Sequence, residues 1–194
     1  MKRAAVFLDR DGTLLDELGY LARPEDLRLL PGAAEGVRAL ETAGWAVVVV
    51  TNQSGIARGL FGEAELARVH ARLEGELAER GAHLAGILHC PHHPEHGPPA
   101  LRRECECRKP APGLFLEAAR RWSLDLARSW SVGDSARDLE AGDRAGVAGG
   151  ILVLTGKGRT TLDELGPEER ARWRTARDLP DAARLLGPAP RAPA

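Results

Sequence analysis

Two aspartates separated by one residue follow a short apolar run near the start of the chain. Asp9 and Asp11 come directly after Ala4–Leu8, whose composition predicts a buried strand. At the end of an extended segment two such side chains point the same way, and Gly12 lets the chain turn sharply after them. Paired carboxylates can divide the roles of nucleophile and acid or base between them, or can bind a divalent cation.

Two further predicted strands also end in a polar residue. The β-branched run Trp45–Val50 ends at Thr51, and Ser129–Val132 leads to Asp134. In open α/β sheets, ligands bind beyond the carboxyl ends of the strands, where the strand order reverses. A single acid at such a place is more often a turn former or a helix cap. The prediction of a shared pocket therefore depends on Asp9, Thr51 and Asp134 taken together.

Two familiar ion-binding and phosphate-binding loops do not match the sequence. A calcium-binding loop that began at Asp9 would need glycine and glutamate at its sixth and twelfth positions, where this chain has Leu14 and Tyr20. The glycines around Lys157 lack the upstream glycine spacing of a P-loop. A calcium loop and a nucleotide-binding P-loop are thus both disfavoured.

Short apolar runs alternate with helical patterns along most of the chain, which predicts βαβ units and a parallel sheet. We expect one α/β domain over residues 1–187 and a disordered Pro/Ala-rich tail over residues 188–194. The predicted helices are Ala33–Ala43, Glu63–Arg80, Gly113–Trp122, Leu139–Ala145, Thr161–Trp173 and Leu179–Leu186, and the remaining strands are Gly86–His89 and Gly150–Leu154.

The segment from Pro91 to Lys109 has little apolar periodicity and contains clustered histidines and cysteines. Three cysteines crowded into one region do not resemble a disulfide framework. Together with one histidine they would form a closed tetrahedral Cys₃His set, which is typical of structural zinc. The candidate ligands are Cys90, Cys105 and Cys107 with one of His89, His92, His93 and His96.

Composition limits the partners that we expect. A formal net charge of −1 provides no broad attraction to nucleic acid or to an anionic membrane. The apolar run at the N-terminus is too short for a signal peptide or a membrane span. We expect a cytoplasmic monomer that acts on a small molecule. Only three of the 27 basic residues are lysines, and Lys109 is one of them; an ammonium is a compact charge suited to a phosphoryl oxygen.

Four short motifs, taken in order, resemble those of the haloacid dehalogenase-like (HAD) phosphatases. They are Asp9-x-Asp11-Gly12-Thr13, Thr51-Asn52, Lys109-Pro110 and Gly133-Asp134-x-x-x-Asp138. The longer strings 51–59 and 90–110 are similar to the branch of sugar-bisphosphate and histidinol-phosphate phosphatases. The resemblance implies a Rossmann-like HAD core, a mostly parallel sheet with helices on both faces. About forty residues separate the first two motifs, so we expect no large cap domain, only a short zinc-binding loop over residues 90–109.

The resemblance also implies a Mg²⁺-dependent phosphatase with an aspartyl-phosphate intermediate. Asp9 would be the nucleophile and a metal ligand, and Asp134 a second carboxylate ligand. Asp11 would bind the metal through its backbone carbonyl, while its carboxyl group acts as acid and then as base. Thr51 and Lys109 would contact the phosphoryl oxygens.

The remaining implied roles concern an acid after the fourth motif and the second metal. Asp138 would orient Lys109 or act only as a first-turn acid of a helix, and both interpretations stay open. The structural zinc would pin the loop and thereby place Arg108 and the neighbouring lysine. Its implied ligands are Cys90, His92, Cys105 and Cys107.

Substrate recognition is assigned to residues around the expected pocket. Arg108 could pair with a second substrate phosphate, because its fork of donors suits that group. The resemblance implies heptose 1,7-bisphosphate, cleaved at position 7, as the substrate and histidinol phosphate as the alternative. A non-catalytic zinc-binding interaction module is the alternative of another class. The candidate substrate-binding residues are Glu17, Gly19, Tyr20, Thr51, Asn52, Gln53, Ser54, Arg108 and Lys109.

Overall fold

The computed structural model describes residues 2–190 and contains one six-stranded sheet whose paired strands are all parallel. The strands are β1 Ala5–Leu8, β2 Ala46–Asn52, β3 Gly86–Cys90, β4 Trp130–Gly133, β5 Gly149–Val153 and β6 Arg174–Ala176. Their order in the sheet is β3-β2-β1-β4-β5-β6, the Rossmann order with its reversal between β1 and β4. The expected α/β class is confirmed.

Helices cover both faces of this sheet. Alternate residues of β1 point to opposite faces, so Val6 packs into an apolar cluster on one face, whereas Phe7 packs into a second cluster on the other face. The helices are α1 Ala33–Thr42, α2 Glu63–Ala78, α3 Gly113–Arg121, α4 Ala136–Ala145, α5 Gly158–Glu164, α6 Pro167–Arg172 and α7 Leu179–Leu186, with 3₁₀ turns at Pro24–Asp26 and Leu126–Arg128.

The strand register brings three strand ends to one level. Leu8 lies opposite Val49 of β2 and Val132 of β4. The residues that follow these three positions therefore emerge side by side at the carboxyl edge, at the reversal of strand order.

The C-terminal third differs from the sequence-based prediction in two places. The single helix expected over Thr161–Trp173 is wrong, because α5 ends at Glu164 and α6 begins at Pro167. A residue before proline is disfavoured in the helical region, and proline is well suited to the first turn of a new helix. The strand β6 was not predicted either, since its three residues are polar or small and form no apolar run.

The chain remains packed beyond the expected domain end at residue 187. The backbone N–H of Ala189 donates to the carbonyl of Ala43 at 2.8 Å. Residues 191–194 of the expected tail lie outside the described residues. Between residues 2 and 190, no helix has both the length and the apolar character that crossing a membrane requires.

Candidate active site

A pocket of about 340 Å³ lies beyond the carboxyl ends of β1, β2 and β4. This volume falls in the range of small-molecule sites. All of the residues expected in the catalytic, magnesium and substrate sets line it except Gln53. Those lining residues are Asp9, Asp11, Glu17, Gly19, Tyr20, Thr51, Asn52, Ser54, Arg108, Lys109 and Asp134.

Lys109 is buried at the base of the pocket and makes three contacts. Its Nζ lies 2.7 Å from Asp9 Oδ1 and 2.7 Å from Asp138 Oδ1, and donates to the Val50 carbonyl at 2.8 Å. Burial opposes the charged ammonium, but attraction by the two carboxylates outweighs it and raises the pKa of Lys109. The other oxygen of Asp138 accepts from the backbone N–H of Ser135 at 3.2 Å. Asp138 therefore both orients the lysine and caps α4.

Three carboxylates converge beside this lysine. Oxygens of Asp9, Asp134 and Asp138 lie within 4.8 Å of one another. Burial, and then the charge of Asp9, raises the pKa of Asp134 to about 7. Gly12 makes the approach possible, since a Cβ there would stand 2.0 Å from Asp134 Oδ2. An all-oxygen set with excess negative charge fits Mg²⁺, which binds carboxylates and waters.

The carboxyl group of Asp11 is held from behind the pocket. Arg10 donates from Nε to Oδ2 at 3.1 Å and from Nη2 to Oδ1 at 3.1 Å. Gln53 Nε2 donates to the same Oδ2 at 3.0 Å and to Thr51 Oγ1 at 2.9 Å. Burial raises the pKa of Asp11, and the guanidinium charge acts in the opposite direction. The buried Gln53 thus supports two pocket residues instead of lining the pocket.

Asn52 connects the second strand to the loop that carries the lysine. Its Nδ2 donates to the Lys109 carbonyl at 3.0 Å, and its Oδ1 accepts from the Lys109 N–H at 3.1 Å. Both polar atoms of this side chain are thereby used on one peptide segment. The geometry makes Asn52 a support for the lysine, although it also reaches the pocket wall.

Several pocket residues were not in the expected set. Two of them had a signal in the sequence, since Arg58 lies in the string 51–59 and Arg137 lies inside the fourth motif. With Arg108 they form an arginine rim: burial lowers the pKa of Arg108, and the charges of the other two arginines lower it further. The unexpected lining residues are Arg58, His93, Ser135, Arg137 and Lys157.

The four predicted zinc ligands lie together at the start and end of the long loop. Five distances among the Sγ atoms of Cys90, Cys105 and Cys107 and Nδ1 of His92 fall between 3.1 and 3.6 Å. Zinc bonds of about 2.3 Å to sulfur and about 2.0 Å to nitrogen separate ligand atoms by roughly 3.5–3.8 Å in a tetrahedron. The hydrogen bond between Cys90 and Cys107 lowers the pKa of Cys107 and raises that of Cys90, so that Cys107 is the thiol of this pair that ionises more readily.

The other histidines near this cluster have different partners. His93 accepts backbone hydrogen bonds at Nδ1 from Glu95 and His96, and its Nε2 lies 3.0 Å from Arg58. His89 Nε2 lies 2.9 Å from Glu63. Geometry therefore selects His92, the choice that the sequence resemblance implied.

Comparisons with known proteins agree with this arrangement. Residues 106–182 match a family model described as HAD-hydrolase-like. The chain is 44% identical to D-glycero-beta-D-manno-heptose-1,7-bisphosphate 7-phosphatase of Vibrio cholerae, over 84% of this chain and 88% of the relative. It is 41% identical to the enzyme of the same name from Escherichia coli K12, over 92% of each chain.

A solved structure gives the same result at the level of the fold. The D,D-heptose 1,7-bisphosphate phosphatase of B. bronchiseptica, complexed with magnesium and phosphate, superposes with a TM-score of 0.83 at 41% identity. The match covers 96% of this chain and 98% of that one. This chain belongs to the HAD phosphatase family, among the relatives of D-glycero-beta-D-manno-heptose-1,7-bisphosphate 7-phosphatase.

Proposed function

We propose that this chain is a Mg²⁺-dependent phosphatase that hydrolyses D-glycero-beta-D-manno-heptose 1,7-bisphosphate at position 7. The observation that carries the proposal is the convergence of Asp9, Lys109 and Asp134 at the reversal of strand order. The names of relatives at 41–44% identity support the substrate.

The reaction would proceed in two steps through Asp9. An oxygen of its carboxylate attacks phosphorus while the bond from phosphorus to the sugar oxygen breaks, and the Asp11 carboxyl gives its proton to the departing alkoxide. A water then loses a proton to Asp11 and attacks phosphorus, which releases inorganic phosphate and restores Asp9. Both steps use the same two aspartates, so their relative placement controls both rates.

Charge stabilisation around the transferring group comes from several sides. Lys109 supplies a fixed positive charge, and the Thr51 hydroxyl is oriented by the amide of Gln53, which donates to its oxygen. Mg²⁺, when bound, would neutralise charge on the phosphoryl oxygens. Its protein ligands would be the carboxylates of Asp9 and Asp134 and the backbone carbonyl of Asp11.

The arginine rim favours a bisphosphate over histidinol phosphate. Arg58, Arg108 and Arg137 all line the pocket, and the first and third lie near enough to Arg108 for their charges to act on it. They would attract a second phosphate through fork-shaped pairing, whereas they would repel the ammonium group of histidinol phosphate. Steady-state kinetics on the two substrates would test this, with the higher kcat/KM expected for the heptose bisphosphate.

We also propose that the Cys₃His cluster binds one structural zinc. Four protein ligands leave no open position for a substrate, and the four ligand atoms lie within 4.8 Å of one another, close enough to share one ion. The metal would fix the two ends of the loop, one of which continues directly into Arg108 and Lys109. The resulting molecule is a single domain that needs both metals for full activity.

Replacing the nucleophile tests the catalytic proposal against a non-catalytic zinc-binding module. We expect Asp9→Asn to lose nearly all phosphate release, by at least about 10³-fold, because the amide cannot form the aspartyl-phosphate. Phosphate release with and without Mg²⁺ is the measurement, and circular dichroism and zinc content verify the fold. Turnover near the wild-type rate in this variant would exclude the covalent mechanism.

A further inference from the structure

Arg10 has the largest fully buried side chain of the described part of the chain, with 1% of its surface exposed. A guanidinium has five N–H donors and no acceptor, so it is stable in the interior only where acceptors surround it. It stands between the two catalytic aspartates in sequence, but no step of the mechanism above uses it. Its burial and its position therefore need an explanation.

The contacts of Arg10 divide into an inner and an outer side. On the inner side Nε donates to both oxygens of Asp11, at 3.3 and 3.1 Å, and Nη2 lies 3.1 and 3.0 Å from the same two oxygens. On the outer side Nη1 lies 3.2 Å from His70 Nε2 on α2. Since the guanidinium can only donate, Nε2 must accept, and the imidazole must be neutral. Burial and the nearby guanidinium lower the pKa of His70 to about 3, in agreement with that neutral form.

We propose that Arg10 is a positioning residue that holds the Asp11 carboxyl group in its reactive orientation, and that His70 holds the guanidinium in place from α2. An acid or base must remain within hydrogen-bond reach of two different oxygens, first the leaving oxygen and then the attacking water. Two guanidinium nitrogens that each contact both oxygens limit rotation of the carboxyl group through both steps, which a lysine with a single point charge would not do. This inference rests on the proposed phosphatase function.

The choice of leaving group separates positioning of Asp11 from a merely structural role. When a sugar alkoxide leaves, its oxygen keeps the electron pair of the broken P–O bond and must receive a proton from Asp11. Nitrophenolate from p-nitrophenyl phosphate is stable without that proton. Hydrolysis of the aspartyl-phosphate still needs Asp11 to accept a proton from water, whatever the first substrate was.

We therefore expect Arg10→Lys to show a burst with p-nitrophenyl phosphate. About one nitrophenolate per active site should be released at nearly the wild-type rate, followed by slow turnover. The ratio of burst rate to steady-state rate should rise at least about tenfold over wild type, and kcat with the heptose bisphosphate should fall about 10²-fold, the usual scale of acid–base catalysis. Asp11→Asn should behave in the same way and serves as the reference.

His70→Gln supplies a second variant that keeps the test decisive if Arg10→Lys does not fold. It should produce the same pattern more weakly, whereas His83→Gln, which changes an exposed histidine outside the groove that His70 lines, should match wild type. The proposal fails if burst and steady-state rates fall in proportion, as they would when only the folded fraction changes. A burst in Asp11→Asn that is missing from both Arg10→Lys and His70→Gln would reject the positioning role of Arg10, while the acid–base role of Asp11 would stand. A wild-type protein that releases no phosphate from either substrate would reject the proposed function itself.

Discussion

Lys109 and Arg10 are both almost excluded from water, and each is paired with a carboxylate of the active site. Removing a charge from water costs several kcal/mol, which only close and well-oriented partners offset. Both cations are held from a second side as well, Lys109 by Asp138 and Arg10 by His70. The site is thus built from charges whose positions are restricted before any substrate arrives, which is the arrangement that electrostatic catalysis requires.

Asn52 provides a residue-scale test of how the lysine is placed. Asn52→Ala removes both hydrogen bonds to the Lys109 backbone, so we expect kcat to fall about tenfold through looser positioning of the ammonium. Mg²⁺ affinity should stay the same, because the carboxylates of Asp9 and Asp134 are not touched. Magnesium titrations of the steady-state rate measure both quantities. An unchanged kcat would mean that the lysine is held well enough by its side-chain contacts.

His70 gives the folded protein a specific pH dependence. Its pKa is lowered from 6.5 to about 3 by burial and by Arg10, so in mild acid the unfolded chain takes up a proton that the folded chain does not. Stability from this group is complete above about pH 6.5 and is lost as the pH falls toward 3. The charged or titratable residues that share its groove are Glu63, Glu74, His89 and Arg121.

His70→Gln should therefore reduce the acid sensitivity of the fold. The free energy of unfolding of wild type relative to the variant should decrease between pH 7.5 and pH 5, as measured by urea denaturation at each pH. Parallel pH profiles for the two proteins would contradict a lowered pKa at this residue.

At the scale of elements, the long loop from β3 to α3 connects the cysteine cluster to the catalytic edge. Cys90 ends β3, and Cys107 is followed at once by Arg108 and Lys109. A metal bound by both Cys90 and Cys107 would fix the segment that carries Arg108 and Lys109 directly to the end of β3. The loop contains no regular helix or strand of its own, so its shape depends on such a staple.

Removing one thiolate should loosen this whole segment. We expect Cys105→Ala to lose zinc, to expose residues 91–108 to protease, and to lower kcat because the lysine is less well placed. Metal analysis should find about one zinc per wild-type chain and much less in the variant. His96→Ala, which changes a histidine of the same loop outside the ligand cluster, should retain the metal. Full zinc content in Cys105→Ala would show that the cluster is not the site.

For the whole molecule, the three clustered carboxylates of Asp9, Asp134 and Asp138 link metal binding to stability. Mg²⁺ together with phosphate binds the folded form, so a hundredfold excess over Kd should add about 2.7 kcal/mol to the free energy of unfolding. For a chain of this size that corresponds to a rise in Tm of roughly 5–10 °C. Thermal denaturation with and without both ligands measures the shift.

Asp134→Asn should abolish most of this rise in Tm, because it removes a proposed carboxylate ligand. Asp16→Asn removes the same charge from an exposed position outside the pocket and should leave the rise unchanged. Equal shifts in all three proteins would indicate that the ion binds elsewhere.

Local sequence signals predicted most of the elements, because apolar periodicity and glycine or proline positions act over a few residues. The strands that lead to Asp9, Thr51 and Asp134 were placed to within two residues, although β2 continues through Thr51 to Asn52. The prediction failed where local signals were weak, at the break between α5 and α6 and at the three-residue strand β6. There the packing at the edge of the sheet decides the conformation.

The amino-acid sequence was sufficient for the fold class, for the order of the motifs and for the types of residue that carry the chemistry. These properties depend on spacing along the chain and on which side chains attract metal or phosphate. Only the tertiary structure decided which partner each polar group takes. It placed Gln53 behind the pocket, gave Asp138 two functions, and joined Arg10 to His70 across 60 positions of sequence. Hydrogen bonds depend on distances of about 3 Å, and residues so far apart in sequence reach such distances only after the sheet and helices have packed.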